Sequence, residues 1–135
     1  MLFRSIAQDY DIRTAGVLPA LDSVDELLRV INGAFDAAGC DVSAGARLAP
    51  LFAQAGVGNP DGTDVAGRIE PLASGRALLE GSFRSVLPAA LAHGITTRTA
   101  AQAALAAIDR DAGRFPDRPV LWPLLIGAWK RKELR

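Results

Sequence analysis

Residues 119–132 read Pro-Val-Leu-Trp-Pro-Leu-Leu-Ile-Gly-Ala-Trp-Lys-Arg-Lys, and this stretch decides the fold class. Its apolar part, Val120 to Trp129, is about half as long as a membrane-spanning helix. Pro123 and Gly127 interrupt a helix, so the stretch is predicted to be a strand. Because it is apolar on both faces, we expect it to be buried between helical layers and to end at Lys130 to Lys132. The predicted fold class is therefore α/β.

The composition fits one folded domain or a piece of a larger one. The chain has 135 residues, of which 50% are hydrophobic, enough for a packed core. Lys plus Arg equals Asp plus Glu at 15 each, so no excess charge favours nucleic acid or a membrane surface as a partner. The single cysteine, Cys40, and the absence of a Cys/His cluster speak against an internal disulfide and a metal site. With no signal-peptide pattern at the start, a cytoplasmic protein is predicted.

The first five residues are interpreted as a non-native leader. Leu2-Phe3-Arg4-Ser5 is what the end of a common sequencing adapter encodes, so the natural sequence is expected to begin near Ile6. The alternative is a genuine short polar start. The DNA sequence upstream of Ile6 at the native locus distinguishes the two.

Periodicity and turn formers predict three strands and four helices. Strands are predicted over Ser5 to Tyr10, over Val65 to Leu72 and within residues 119–132. The helices are predicted from Ser23, with a Ser23/Glu26 capping box, to Gly39; from Asp41 or Ser43 to Gly56; from Ser74 to Gly94, kinked or broken at Pro88; and from Thr96 or Thr97 to about Arg114. Three strands make a thin sheet, so further strands are expected to be missing from the chain.

Candidate functional residues lie at the end of the first predicted strand. Asp9, Tyr10 and Asp11 stand at its carboxyl end, where parallel α/β sheets bind ligands, and Arg13 is near. The alternative is a strand that leaves the core for solvent. His93, the only histidine, is a candidate general base. Its place in the last turn of a predicted helix favours a structural role facing the helix carbonyls.

Three segments together resemble a known family. They read Ile6-Ala7-Gln8-Asp9-Tyr10-Asp11, Gly45-Ala46-Arg47-Leu48-Ala49-Pro50-Leu51-Phe52-Ala53-Gln54-Ala55-Gly56 and Leu124-Leu125-Ile126-Gly127-Ala128-Trp129-Lys130-Arg131-Lys132. In order and spacing they resemble the C-terminal half of class I S-adenosylmethionine-dependent methyltransferases, nearest to the ubiquinone/menaquinone-biosynthesis-like small-molecule branch. The resemblance covers nearly all of the chain after Ser5.

The resemblance implies a Rossmann-like sheet of which this chain holds the last part. Ile6 to Asp9 would end strand five and Val65 to Leu72 would be strand six. Val120 to Lys130 would be strand seven, which in this family runs antiparallel and is inserted between strands five and six. Residues 6–135 would then be the C-terminal portion of a methyltransferase domain. Helices over about residues 74–114 would be an insertion that shapes the acceptor side.

The chain departs from the family where the cofactor would bind. The family holds S-adenosylmethionine with a glycine-rich loop after the first strand, whose backbone N–H groups approach the ligand. No Gly-x-Gly-x-Gly sequence is present here, so no cofactor-binding residue is assigned. The parent protein is expected to be a methyltransferase enzyme, and this chain alone is expected to be inactive.

The resemblance also suggests where an acceptor would bind. Asp9, Tyr10, Asp11 and Arg13 would line the pocket for a small-molecule acceptor, and no catalytic residue is assigned. Further contacts are expected from the inserted helices, at Arg76, Phe83 and Arg84. A homo-oligomer is a possible assembly.

Two other functions stay open. The chain is alternatively a complete, non-catalytic α/β binding or dimerisation module, in which a partner covers the sheet edge beside Ile6 to Tyr10. A third hypothesis is an enzyme that uses His93 with Asp9 or Asp11, which only the residue types support.

Overall fold

The structure, a computed structural model, describes residues 4–131. Its strands are β1 (Arg4–Asp11), β2 (Gly16–Val17), β3 (Gly62–Ala66), β4 (Ile69–Pro71), β5 (Pro119–Leu121) and β6 (Leu124–Arg131), and its helices are α1 (Asp22–Ala37), α2 (Leu48–Gln54), α3 (Leu72–Ala92) and α4 (Arg98–Arg114). The α/β class and the four helices are confirmed. Met1 to Phe3 of the expected leader, and Lys132 at the expected end of the last strand, lie outside the described residues.

Two small antiparallel sheets replace the single sheet that was predicted. Sheet A has the order β1-β6-β3, and sheet B has the order β2-β5-β4. Residues 65–72 were predicted as one strand but divide between β3 in sheet A and β4 in sheet B, and Leu72 already begins α3. Residues 119–132 divide likewise, between β5 and β6. The division falls at Trp122 and Pro123, because proline has no N–H for a ladder hydrogen bond.

The last strand lies where the resemblance placed it within its sheet. β6 pairs antiparallel with β1 on one side, with Tyr10 opposite Leu125, and antiparallel with β3 on the other, with Val65 opposite Ile126. β1 and β3 therefore run in the same direction on either side of a reversed strand. Within residues 4–131 no two strands pair in parallel, so a parallel Rossmann sheet is not seen there.

The prediction that the last strand is buried on both faces was wrong. One face of sheet A packs against α2, where Leu48 and Phe52 cover Ala128. On the other face Ile6 and Trp129 are 67% and 38% exposed. The end of this face around Ile6 and Trp129 is bare because the longer helices make their main strand contacts with sheet B.

Helices α1, α3 and α4 form the main core together with sheet B. Each presents one stripe of apolar residues at spacings of three and four, and α4 contributes mostly alanine, which permits close packing. The core side chains include Val24, Leu27, Val30, Ile31, Leu79, Phe83, Ala101, Ala104, Ile108 and Val120.

The capping box predicted at the start of α1 does not form. α1 begins at Asp22 after Leu21, with no side-chain cap. The Ser23 hydroxyl instead donates a hydrogen bond of 2.6 Å to the Asp111 carboxylate on α4. The Ser23 hydroxyl, which the local sequence predicted to cap α1, therefore bonds to a residue that is distant in sequence.

Other helix boundaries agree more closely with the sequence. α3 begins at Leu72, before Ser74, and continues through Pro88 without a break. Thr97 begins α4 as predicted, since its hydroxyl accepts a hydrogen bond of 3.1 Å from the N–H of Ala100. The second predicted helix consists of a 3-10 turn, Ala44–Arg47, followed by α2, and the loop before α1 includes the short strand β2.

Candidate functional site

A cavity of about 560 Å³ lies between sheet A and helices α1 and α3. This volume is in the range of small-molecule sites, which are concave and mostly apolar with few polar groups. The residues that line it are Tyr10, Ile12, Ala15, Leu28, Ile31, Phe35, Ala66, Gly67, Arg68, Leu78, Leu79, Ser82, Ser85, Val86, Trp122, Pro123 and Leu125.

Two helix faces provide the apolar wall. Leu28, Ile31 and Phe35 recur along α1 at spacings of three and four, so they share one side of the helix. The same spacing on α3 brings Leu78, Ser82 and Val86 onto the cavity side. Because α1 and α3 pack against each other, their core stripes continue into the wall of the cavity.

The sheet contributes the ends of its strands. Tyr10 stands near the carboxyl end of β1, and Ala66 stands at the carboxyl end of β3. Leu125, which pairs with both residues across the sheet, closes the space between them. Since β1 and β3 run in the same direction, the cavity lies at the carboxyl ends of two co-directional strands.

A polar cluster of Arg68, Glu70 and Trp122 lies beside the cavity. The Trp122 indole N–H donates a hydrogen bond of 2.9 Å to Glu70 Oε2, and Arg68 Nη2 lies 3.3 Å from the same oxygen. The backbone N–H of Trp122 donates to the carbonyl of Arg68 at 2.9 Å. Arg68 and Trp122 line the cavity, and Arg68 is the charged residue among its lining residues.

One of the predicted site residues reaches the cavity. Tyr10 lines it with a half-exposed ring, whereas Asp9 and Asp11 are not among its lining residues. Successive strand residues point to opposite faces, which explains why both neighbours of Tyr10 are turned away. The Asp11 carboxylate accepts a hydrogen bond of 2.9 Å from the Ser43 hydroxyl, so it holds the chain before α2 against β1.

Arg13 lies in a separate polar hollow. Its Nη2 nitrogen donates to both carboxylate oxygens of Asp36, at 3.1 and 3.0 Å. The same hollow contains an ion pair between Arg47 and Asp41 and the exposed thiol of Cys40. Its charges already compensate one another, so the hollow offers no free charge to a ligand.

The other candidates do not line the cavity. Phe83 is fully buried in the core, and Arg76 forms ion pairs with Glu80 and Asp109. Arg84 is exposed on another side of α3. His93 is the C-cap residue of α3, which is the structural position expected for it.

Arg68 and Trp122 line the cavity but were not predicted as site residues. Arg68 read as a solvated charge on an exposed strand face, and Trp122 read as part of one long buried strand. The available signal was the Trp122-Pro123 pair, because a proline inside a strand marks an edge or an interruption. An interruption there would have placed the tryptophan at a junction between two strands.

Neither a three-ligand metal cluster nor a membrane-spanning helix is seen in the described part of the chain. No group of three His, Cys, Asp or Glu side chains in residues 4–131 is arranged to hold a metal ion. None of the helices in that range combines the length and the apolar character that crossing a bilayer requires.

No protein-family model matches the sequence, and a comparison with curated proteins found no match either.

Proposed function

We propose that this chain is the acceptor-binding, C-terminal part of an S-adenosylmethionine-dependent methyltransferase that acts on a small molecule. The observation that carries the proposal is the position of β6, reversed between the co-directional strands β1 and β3. The resembled family inserts its last strand in this way between its fifth and sixth strands.

The position of the cavity supports the same proposal. It opens at the carboxyl ends of β1 and β3, and α3, which follows β4 and precedes the last two strands, forms one of its walls. In the resembled family a helical insertion between strands six and seven shapes the acceptor side. The apolar wall suits an acceptor with a hydrophobic body.

The residues present do not fit the cofactor itself. Binding S-adenosylmethionine through a glycine-rich loop needs glycines between a strand and a following helix. The glycines with positive φ are Gly39, Gly56, Gly58 and Gly94, and all four follow a helix or lie in the turn after one. The chain is therefore assigned to the acceptor and not to the cofactor. In a complete enzyme it would position the accepting atom and exclude water around it.

Sheet A has surfaces on which a cofactor-binding half would pack. Among the described residues β1 pairs only with β6, so its other edge is open. The part of the sheet face that carries Ile6 and Trp129 is also uncovered. Open edges and contiguous apolar surface favour association with another segment of protein.

The decisive experiment begins with the native locus. We would sequence upstream of Ile6, express the whole reading frame and measure S-adenosylmethionine binding by isothermal titration calorimetry, with the 135-residue chain as the matched control. Binding by the complete protein and none by the control supports the proposal. An in-frame stop codon upstream of Ile6, or a complete protein that does not bind the cofactor, overturns it.

The open edge of β1 also favours a second candidate, a non-catalytic binding or dimerisation module. In that case a partner strand would complete the edge. Sedimentation velocity of the isolated chain separates the two functions. A monodisperse dimer or monomer supports the module, whereas aggregation supports an incomplete methyltransferase.

A further inference from the structure

We infer that the cavity binds an apolar molecule that carries an anionic group, and that Arg68 selects this group. The inference rests on the proposed function only in naming that molecule the methyl acceptor. The binding claim itself concerns the chain alone. It starts from the contrast between the apolar wall of the cavity and its one charged lining residue, Arg68.

The position of Arg68 is fixed by its own backbone. The carbonyl of Arg68 accepts the backbone N–H of Trp122 at 2.9 Å, which ties the segment between β3 and β4 to the junction between β5 and β6. Trp122 is itself 9% exposed and forms part of the cavity lining. The backbone of Arg68 is thus held beside the cavity, with the Trp122 ring as its neighbour.

Glu70 does not use up the binding capacity of Arg68. The contact between them is a single ion pair of 3.3 Å from one Nη nitrogen, and the arginine side chain is 73% exposed. Glu70 Oε2 also receives the Trp122 indole N–H. A guanidinium has five N–H donors in a fixed fork, so a second carboxylate or sulfonate can still be bound in a two-pronged manner.

The cavity favours an anion over a cation because its charged lining residue, Arg68, is positive. Arg68 belongs to the lining, whereas Glu70 does not and has its carboxylate hydrogen-bonded to the indole. The remaining polar groups of the lining are hydroxyls, on Tyr10, Ser82 and Ser85. A ligand with a hydrophobic body therefore gains an ion pair with Arg68 as well as a hydrogen bond if its polar group is negative, and a neutral or positive group gains no ion pair.

A matched pair of fluorescent probes tests the inference on the 135-residue chain. 1-Anilinonaphthalene-8-sulfonate and N-phenyl-1-naphthylamine have the same aromatic body, and only the first carries an anionic group. The chain is expected to bind the sulfonate more tightly. Arg68→Met is expected to weaken sulfonate binding about tenfold, since hydrogen bonds to charged groups are worth roughly 1.5–3 kcal/mol. The same change should leave binding of the neutral probe unaltered.

Three further variants make the result specific. Arg84→Met removes an exposed arginine of α3 outside the cavity and should change neither affinity. Ser82→Trp fills the cavity and should weaken both probes, which shows that they bind there. Arg68→Lys keeps the charge without the fork and should retain part of the preference. Circular dichroism of each variant confirms that it is folded.

Two outcomes overturn the inference. One is an equal effect of Arg68→Met on both probes or on neither, and the other is an equal loss with Arg84→Met. Either outcome leaves the methyltransferase proposal standing, because that proposal depends on cofactor binding by the complete reading frame. Conversely, a complete protein that fails to bind S-adenosylmethionine would leave a measured anion preference intact.

Discussion

The indole ring of Trp129 on β6 lies across the backbone of Gly62, its direct partner on β3, in the space that a Cβ atom would occupy. Residues that face each other in an antiparallel pair share one side of the sheet. The ring therefore covers bare backbone on an edge strand, an arrangement in which an aromatic neighbour compensates for a strand glycine. This contact fixes how the end of β6 sits against β3.

Replacing Gly62 with alanine should destabilise the chain. The added methyl group would displace the Trp129 ring, and such overpacking costs about 1–3 kcal/mol. Urea unfolding followed by tryptophan fluorescence measures the effect. Gly16→Ala is the matched control, because a Cβ at Gly16 of β2 has no atom within 4 Å. Equal stability of the two variants would show that the ring moves aside freely.

Asp61, just before β3, holds the end of β6. Its carboxylate accepts the backbone N–H of Arg131 at 2.8 Å and lies 3.3 Å from Lys130 Nζ. The hydrogen bond from the Arg131 backbone is the largest effect on the pKa of Asp61 and lowers it below the ordinary value of 3.8. Desolvation, the next largest effect, opposes this shift. The hydrogen bond and the positive charge of Lys130 lower the pKa further. A carboxyl group whose pKa is lower in the folded state stabilises the fold above its unfolded pKa. That contribution disappears as the pH falls below 3.8 towards the folded value.

Asp61→Asn should therefore reduce the loss of unfolding free energy that occurs as the pH falls below about 4. The native chain loses stability below about pH 4, and the variant should lose less over the same interval because it has no carboxylate to protonate. Thermal melts between pH 2 and pH 7 measure this. Asp117→Asn, at an exposed position before β5, should leave the acid limb as steep as in the native chain. If the two variants behave alike, the link between Asp61 and the end of β6 has no energetic role.

The features that could be predicted from the sequence were those that depend on contacts between near neighbours or on the long apolar stretch at residues 119–132. The α/β class and the four helices followed from these patterns, whereas the expected position of the last strand between two others came from the family resemblance alone. The cap at Thr97 was predicted because that cap is a contact between near neighbours. The prediction failed at Ser23, whose partner Asp111 is distant along the chain, and no local pattern carries such a contact.

Of the residues that line the cavity, Tyr10 was predicted as a site residue, and Arg68 and Trp122 were not. The reason is again that local sequence patterns do not reveal contacts between distant residues. Tyr10 follows from the rule that ligands bind at the carboxyl ends of strands. Arg68 and Trp122 meet only because residues 65–72 and 119–131 each divide between two sheets. Alternating charges and apolar runs indicate strands, but they do not show where one strand passes from one sheet to another.

The cap of α4 allows a test with an internal control. Thr97→Ala removes the hydroxyl that accepts the N–H of Ala100, and loss of such a cap costs about 0.5–2 kcal/mol. Thr99→Ala, in the first turn and exposed, removes a similar hydroxyl without a capping role and should slightly stabilise the helix. Chemical unfolding of both variants gives the comparison. A smaller loss at Thr97 than at Thr99 would contradict the assignment of the cap.

Asn32 of α1 carries a polar atom that is not satisfied. Its Oδ1 is buried without a hydrogen-bond partner among residues 4–131, while its Nδ2 donates to the Leu28 carbonyl at 2.9 Å. A buried unsatisfied acceptor costs about 1–3 kcal/mol. Asn32→Leu should therefore raise the free energy of unfolding by about 1 kcal/mol, with help from the better helix propensity of leucine. Asn32→Asp should lower it, and a destabilised leucine variant would mean that the amide has a function in the fold.

Whether the exposed face of sheet A around Ile6 and Trp129 is an interface, and with what, distinguishes the two proposed functions. Ile6 is 67% exposed on β1 and pairs with Trp129, so a lysine there should not disturb the α2 side of the sheet. If a cofactor-binding half covers this face, Ile6→Lys should reduce aggregation of the isolated chain but lower the folded yield of the complete protein, because it would bury an unpaired charge. If the chain is a dimerisation module, Ile6→Lys should convert a dimer to a monomer.

Leu18→Lys, at a 75% exposed position outside the sheets, controls for the loss of apolar surface alone. Sedimentation velocity and soluble yield measure both effects, and indifference of both proteins to Ile6→Lys would show that the face is not an interface at all.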